Sequence, residues 1–130
     1  MRYLLDTHTL AWAVGNASLL SKRVRLVLSD PKNELWVSPV TIWEMSIQYA
    51  AGKWPEVAPF LDDKQYDQFT QRLGTQELFV RVPHTRLAGQ FKLTHKDPFD
   101  RLLAAQAVLE GMTLVSKNAI FDQFPSNRLW

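Results

Sequence analysis

Asp97-Pro98-Phe99-Asp100 runs directly into Leu102, Leu103, Ala104 and Ala105, which sets two carboxylates at the mouth of a helix with almost no polar face. Such a helix has to be covered by other elements. Capping accounts for part of the pattern: Asp97 suits the N-cap, Pro98 the first helical position, and Asp100 lies three residues past the cap, a close variant of the capping box. The same end of a helix also keeps carboxylates ionised. Both acids are therefore ready to coordinate a cation if other acids converge on the same point.

What surrounds that helix follows from the order of short apolar runs along the chain. Tyr3-Leu4-Leu5 reads as a buried strand ending at Asp6, followed by a helical segment through Leu10 to Val14 that Gly15-Asn16 stops. A second helix covers Ser21 to Ser29, and Leu35-Trp36-Val37 forms the second strand. Ser38-Pro39 then starts a helix carrying Ile42, Trp43, Glu44, Met45 and Ile47 and ending near Gly52. Pro55 and Pro59 break any long element, Asp63 to Leu73 has the pattern of an amphipathic surface helix, and Leu78 to Val82 reads as a third strand. A short helix around Thr85 to Phe91 follows. Gly111 is the natural C-cap of the Asp97 helix, after which Thr113-Leu114-Val115 makes a fourth strand ending at Ser116-Lys117-Asn118. A helical turn near 119–124 and a short segment over 128–130 complete the chain.

Strands alternating with helices predict an α/β sandwich on a mainly parallel sheet of four to five strands. No linker or internal repeat divides the sequence, so residues 1–130 are expected to form one domain, which at this length can bury a core without disulfides. The absence of cysteine rules out a disulfide framework and a zinc-thiolate site. An acid at position 6 comes too early for a signal peptide, and no apolar run approaches the ~18 residues of a membrane span, so a cytoplasmic protein without membrane contact is expected. Fifteen basic against thirteen acidic side chains leave a formal charge of +2. With Asp6, Glu44 and Asp100 set in apolar segments, the outer surface is more basic than that total suggests, in keeping with a polyanionic partner.

In open parallel sheets, ligands gather outside the carboxyl ends of the strands. Asp6 and Asn118 each follow an apolar strand, Asp97 and Asp100 open a helix running back from the same edge, and Glu44 lies in the second turn of a helix that begins just after a strand. Five oxygen-bearing side chains thus come from four separate places. Glu44 has apolar neighbours, and its i±3 and i±4 positions, Thr41, Val40, Ile47 and Gln48, hold no basic residue. Burying that carboxylate unpaired costs several kcal/mol, so it calls for a metal or a distant lysine. Asp6 by itself is also an ordinary turn residue, with Thr7 and Thr9 available to cap the next helix. Carboxylates and an amide without cysteine suit Mg²⁺ or Mn²⁺, ions that engage phosphate oxygens. No Gly-rich phosphate loop, glycine-flanked serine or His-rich zinc motif offers a rival chemistry. Of the three histidines only His95 is close in sequence to the acids, and it is a candidate to touch substrate. Arg101 could meet RNA phosphates, whereas Lys96 suits a solvated position. Trp12, Trp36 and Trp43 read as core, and Trp54 and Trp130, which lie in less regular segments, as exposed.

Tyr3-Leu4-Leu5-Asp6-Thr7-His8, Ser38-Pro39-Val40-Thr41-Ile42-Trp43-Glu44, the run from His95 through Asp97-Pro98-Phe99-Asp100 to Ala107, and Leu114-Val115-Ser116-Lys117-Asn118 together resemble the PIN-domain ribonucleases, specifically the VapC toxins of bacterial toxin-antitoxin pairs. The match runs from Met1 to about Phe124. The resemblance implies a PIN-like three-layer sandwich and a Mg²⁺- or Mn²⁺-dependent endoribonuclease whose acids map onto Asp6, Glu44 and Asp100, with the fourth acidic position falling on Asn118. It also implies a homodimer and a cognate antitoxin that covers the active site. Asp97 belongs to the Asp-Pro-Phe-Asp signature and is expected to cap its helix and support the site. Thr7 matches the small hydroxyl residue that follows the first acid.

On this reading Asp6 and Asp100 bind the ion directly, Glu44 binds it directly or through water, and Asn118 orients a coordinated water. Asparagine at 118, where many relatives carry aspartate, lowers the charge of the site and predicts one well-held ion, the second arriving with the RNA phosphate if at all. Two readings compete. A binding module could keep the fold and act only through a partner in a DNA-bound repressor complex; a phosphotransferase using Asp6 would need an acid two residues later, where this chain has His8.

Overall fold

The computed structural model describes residues 1–130, and its core is one parallel sheet. Strands β1 (Arg2–Leu5), β2 (Glu34–Val37), β3 (Thr75–Glu77), β4 (Thr113–Val115) and β5 (Arg128–Leu129) lie in the order β3-β2-β1-β4-β5. In the register of the central pairs Leu5 faces both Val37 and Val115, and Leu4 faces both Trp36 and Leu114.

Alternation of side chains along the strands divides the core into two layers. Tyr3, Leu5, Leu35, Val37, Val115 and Leu129 point to one face, against Leu10 of α1 (Thr7–Gly15), Val24 of α2 (Lys22–Ser29), Met45 of α3 (Pro39–Ala50), and Val57 and Phe60 of a 3₁₀ turn over Pro55–Leu61. Leu4 and Leu114 point to the other face, against Leu103, Ala104 and Ala107 of α6 (Pro98–Glu110) and Phe121 of a 3₁₀ turn over Ala119–Gln123. Between these elements run α4 (Asp63–Leu73) and α5 (Val82–Gln90). The predicted three-layer α/β sandwich is the observed one, with five strands. No helix is long and apolar enough to cross a membrane.

The apolar helix behaves as its sequence requires: Leu103 to Ala107 are all buried, and Gly111 ends α6 in the left-handed region at φ +65°, where a side chain would be strained. α3 straddles the boundary of the two layers, since its Val40 packs in the second cluster and its Met45 in the first. Glu44 is therefore carried to the carboxyl end of the sheet.

Four expectations need correcting. The third strand is not Leu78 to Val82 but Thr75–Glu77, a polar edge strand that pairs with β2. Only Leu78 prolongs the ladder, its N–H donating to the Val37 carbonyl at 2.8 Å, whereas Phe79 and Val82 are exposed. At an edge, backbone pairing with Leu35 to Val37 outweighs the weak β-propensity of Gln and Glu. The short helix consequently begins at Val82 rather than Thr85, and α1 begins at Thr7 rather than Leu10 because Asp6 itself is the cap. Trp43 is not core; it is 56% exposed, edge-on to Phe99 at 4.9 Å.

Candidate active site

The order β3-β2-β1-β4-β5 changes direction between β1 and β4, the position where parallel sheets open a crevice at their carboxyl ends. The chain leaves β1 at Asp6, whose N–H donates to the Val115 carbonyl at 3.1 Å, and turns at once into α1. Asp6 is buried; its Oδ1 accepts from the Thr9 N–H at 2.8 Å, so one oxygen caps α1 and the other remains for the crevice. The chain leaves β4 through Ser116 and Lys117 to Asn118, whose Oδ1 accepts from the Ile120 N–H at 3.1 Å. That bond uses the amide oxygen and leaves its NH₂ group as a donor.

α6 delivers two acids to the same place. Asp97 Oδ1 caps the helix by accepting from the N–H groups of Phe99 and Asp100 at 2.9 and 3.1 Å. Asp100, one turn in, points its Oδ2 at His95 Nε2, 2.8 Å away. Asp6, Thr7, Glu44, Asp97, Asp100 and Asn118 line one cleft of about 190 Å³, with Leu103 and Phe121 as its apolar floor. Every acid predicted from the sequence thus borders a single cavity.

Electrostatics sets Glu44 apart. No salt bridge reaches it, and its pKa is pushed from 4.5 to about 7, first by burial and then by the charges of Asp100, Asp97 and Asp6. The Thr7 hydroxyl, buried and without a partner within hydrogen-bond distance, faces Glu44 and offsets part of that rise. Asp100 is also pushed above the usual carboxylate range by burial, against which the His95 hydrogen bond works in the opposite direction.

The donor set fits a hard divalent cation. Four carboxylates converge with no lysine or arginine among the lining residues, and an orphaned hydroxyl faces the same space. The acids border the cleft, but no three of them are so arranged that they form a metal-holding group in this structure. Asp6, Glu44 and Asp100 are the candidates for holding such an ion.

Two of the predicted substrate contacts sit differently. Arg101 is not among the lining residues: its Nε, Nη1 and Nη2 donate to the carbonyls of Ala88, His95 and Phe91 at 2.8, 2.9 and 2.6 Å, tying the segment before α6 to α5. His95 meets the site only through Asp100. Thr7 lies in the cleft wall. Sequence reasoning passed over His8, which also lines the cleft. Its signal was its position, two residues past Asp6 in the first turn of α1.

The PIN domain family matches the chain over residues 3–127. Comparison with curated proteins gave no match. Among solved structures the chain resembles VapBC2 from Rickettsia felis bound to a DNA fragment from its promoter, with 20% identity, a TM-score of 0.68, and coverage of 99% of this chain and 98% of that one. It also resembles VapBC-1 from nontypeable Haemophilus influenzae, at 18% identity and TM-score 0.67 over 99% of this chain and 97% of that one. DNA-bound VapBC from Salmonella typhimurium matches at 19% identity and TM-score 0.64, over 100% and 97%. At these identities the likeness establishes the fold. A family match across nearly the whole sequence, on a parallel sheet whose carboxyl edge gathers four acids, means that the chain belongs to the PIN domain family.

Proposed function

We propose that this protein is a Mg²⁺- or Mn²⁺-dependent endoribonuclease acting as the VapC-type toxin of a toxin-antitoxin pair. The observation that carries the nuclease reading is the cleft: Asp6, Glu44, Asp97 and Asp100 border one cavity with no lysine or arginine in its lining, and Glu44 among them has no salt-bridge partner and is pushed to about 7 by burial and by the other three. PIN domains are typically nucleases. A divalent ion bound there would supply positive charge against the scissile phosphate and a more acidic water.

The chain's own side chains do the rest. Asp6 and Asp100 would hold the ion directly, and Glu44 directly or through water. Asp6 is held in place by its cap to Thr9, and Asp100 by His95, so neither is free to swing away as phosphate approaches. Asn118 presents its NH₂ to water or to a phosphate oxygen, which an aspartate there could not do. Asp97 caps α6 and adds negative charge at the rim. One cation per free chain is the expected occupancy, a second arriving with the RNA phosphate if at all.

The similar structures are described as VapBC assemblies, two of them on DNA. For this chain we propose a cognate antitoxin that covers the carboxylate cleft, with the segment from Lys53 to Leu73 as part of the partner surface. A homodimer is supported by the exposed apolar residues Trp43, Ile47, Phe79 and Val82. The same reading takes the protein to act in the cytoplasm. Incubating purified protein and RNA with Mn²⁺, with and without EDTA, tests the reading. Chelator-sensitive cleavage that Asp6→Asn abolishes supports it; a folded protein that cleaves nothing, or that cleaves equally in EDTA, overturns it.

A further inference from the structure

Arg101 follows Asp100 directly, and a helix turns by about 100° per residue, so the two side chains leave α6 in different directions. Asp100 borders the carboxylate cleft, whereas Arg101 reaches back over the end of α5. That end needs a partner: a helix leaves its last four carbonyls without intrahelical donors, and the last turn of α5 carries no basic residue. Arg101 supplies both donors and charge. Its Nε donates to the Ala88 carbonyl at 2.8 Å and its Nη2 to that of Phe91 at 2.6 Å, with the guanidinium carbon 5.9 Å from the centre of the Phe91 ring. Capping of α5 accounts for those two bonds and not for the third.

Nη1 donates at 2.9 Å to the carbonyl of His95, four residues past Phe91 in the segment that joins α5 to α6. No backbone-to-backbone hydrogen bond involves residues 92–96, so the His95 carbonyl is the one point at which hydrogen bonding fixes the backbone of that segment. The ring of the same residue holds Asp100: Nε2 lies 2.8 Å from Asp100 Oδ2, and the ring stands edge-on to Phe124 at 6.2 Å, as Phe91 does at 5.1 Å. Arg101 thus fixes the backbone of the residue whose ring fixes Asp100. Three nitrogens of one planar fork aimed at three carbonyls is a geometry that the single nitrogen of a lysine does not reproduce.

We infer that Arg101 is a positioning residue for the carboxylate site: it holds the backbone through His95 so that Nε2–H of that ring stays on Asp100 Oδ2, leaving Oδ1 as the oxygen free for a cation. The inference rests on the metal reading above for its consequence, and on the chain's own hydrogen bonds for its cause. Neither Arg101 nor His95 has to touch RNA for this.

The test uses the full chain, first in EDTA and then titrated with Mn²⁺. In nitrogen-15 spectra recorded in EDTA, His95 should show a protonated Nε2 whose proton is shifted downfield by its carboxylate bond, a signal assigned by its loss in His95→Ala. Arg101→Lys, which keeps the charge and loses the fork, should displace that signal while the His84 ring is unaffected. It should also weaken Mn²⁺ binding in calorimetry roughly tenfold, the scale of losing an outer partner of a metal ligand. His95→Ala should weaken binding as much, and the double variant no more than either alone, because both changes break one link. Arg101→Gln, which retains an amide donor, takes the place of Arg101→Lys if thermal unfolding shows the latter unfolded. An unchanged His95 signal in a folded Arg101 variant overturns the inference, as do losses that multiply to about a hundredfold in the double variant. Failure of both Arg101 variants to fold also overturns it, since Arg101 would then serve the fold alone. A His95 signal displaced by Arg101→Lys in a chain that binds no Mn²⁺ would uphold the positioning and sink the metal reading; Mn²⁺ binding that Arg101→Lys leaves at full strength would do the reverse.

Discussion

Asp6 and Asp97 on one side, and Glu44 on the other, are acids around one cleft held there by opposite economies. Each aspartate opens a helix and accepts backbone N–H groups, Asp6 from Thr9 and Asp97 from Phe99 and Asp100, so its negative charge is solvated by the fold itself. Glu44 sits in the second turn of α3, caps nothing and pairs with nothing, and its carboxyl is pushed to about 7. The difference separates residues for which function and stability coincide from one whose placement costs stability. Charge repulsion tolerated at a site with no structural return marks the chemistry more sharply than the caps do.

The largest effect expected from breaking this contrast is on cleavage. Asp6→Asn keeps an oxygen to cap α1 but removes a ligand charge, so RNA cleavage should fall by roughly 10²–10³-fold while the melting temperature barely moves. Asp6→Ala should lose the same activity and, in addition, about 1 kcal/mol of stability through the cap. Assaying both variants for cleavage and thermal unfolding separates the two roles; equal destabilisation by Asn and Ala would show that Asp6 matters as a charge and not as a cap.

Glu44→Gln should lose activity and gain stability, with a pH dependence fixed by the raised pKa. Unfolded, the carboxyl ionises near 4.5; folded, only near 7. Between those values the folded chain holds the extra proton, so the parent loses stability as pH rises through the window and bears the whole penalty above pH 7. After discounting for a carboxyl that is far from fully buried, the variant should be about 1–2 kcal/mol more stable at pH 8 and no more stable at pH 4.5. Denaturant unfolding at the two pH values measures this. A constant difference would place the effect outside ionisation.

The smallest effects concern the rim. Asp97→Ala should cost about 1 kcal/mol through its cap, Asp97→Asn close to nothing, and both should reduce cleavage less than Asp6→Asn. If Asp97→Asn silences the enzyme as fully as Asp6→Asn, Asp97 is a direct ligand and the division between caps and ligands has to be redrawn.

Much of this arrangement is legible in the sequence because the signals are local. Ser38-Pro39 and Asp97-Pro98 start α3 and α6 where they were read, Gly111 ends α6, and the runs around Leu4, Trp36 and Leu114 become the three central strands. What escaped reading depends on pairing across the chain. Thr75–Glu77 has only Thr75 to favour a strand and pairs because β2 offers an open edge, while most of the apolar run after it is left outside. Likewise the apolar company of Trp43 in sequence did not show that position 43 faces away from both layers. The convergence of the five followed from Asp6 and Asn118 lying just past strands, Glu44 in a helix that begins after one, and Asp97 and Asp100 opening a helix that runs back from the same edge, whereas the commitment of Arg101 to three carbonyls and of His8 to Trp54 arises from loops whose paths no period encodes.

The central claim, that these acids make one cation site, is tested most directly by calorimetric titration of Mn²⁺ into the purified chain at pH 7, repeated in buffers of different ionisation enthalpy. The account predicts one ion per chain and release of about half a proton from Glu44 on binding, with both signals lost in Asp6→Asn and the proton signal lost in Glu44→Gln. Binding that is absent, that shows two tight sites without RNA, or that survives Asp6→Asn with the same affinity and proton release would contradict it.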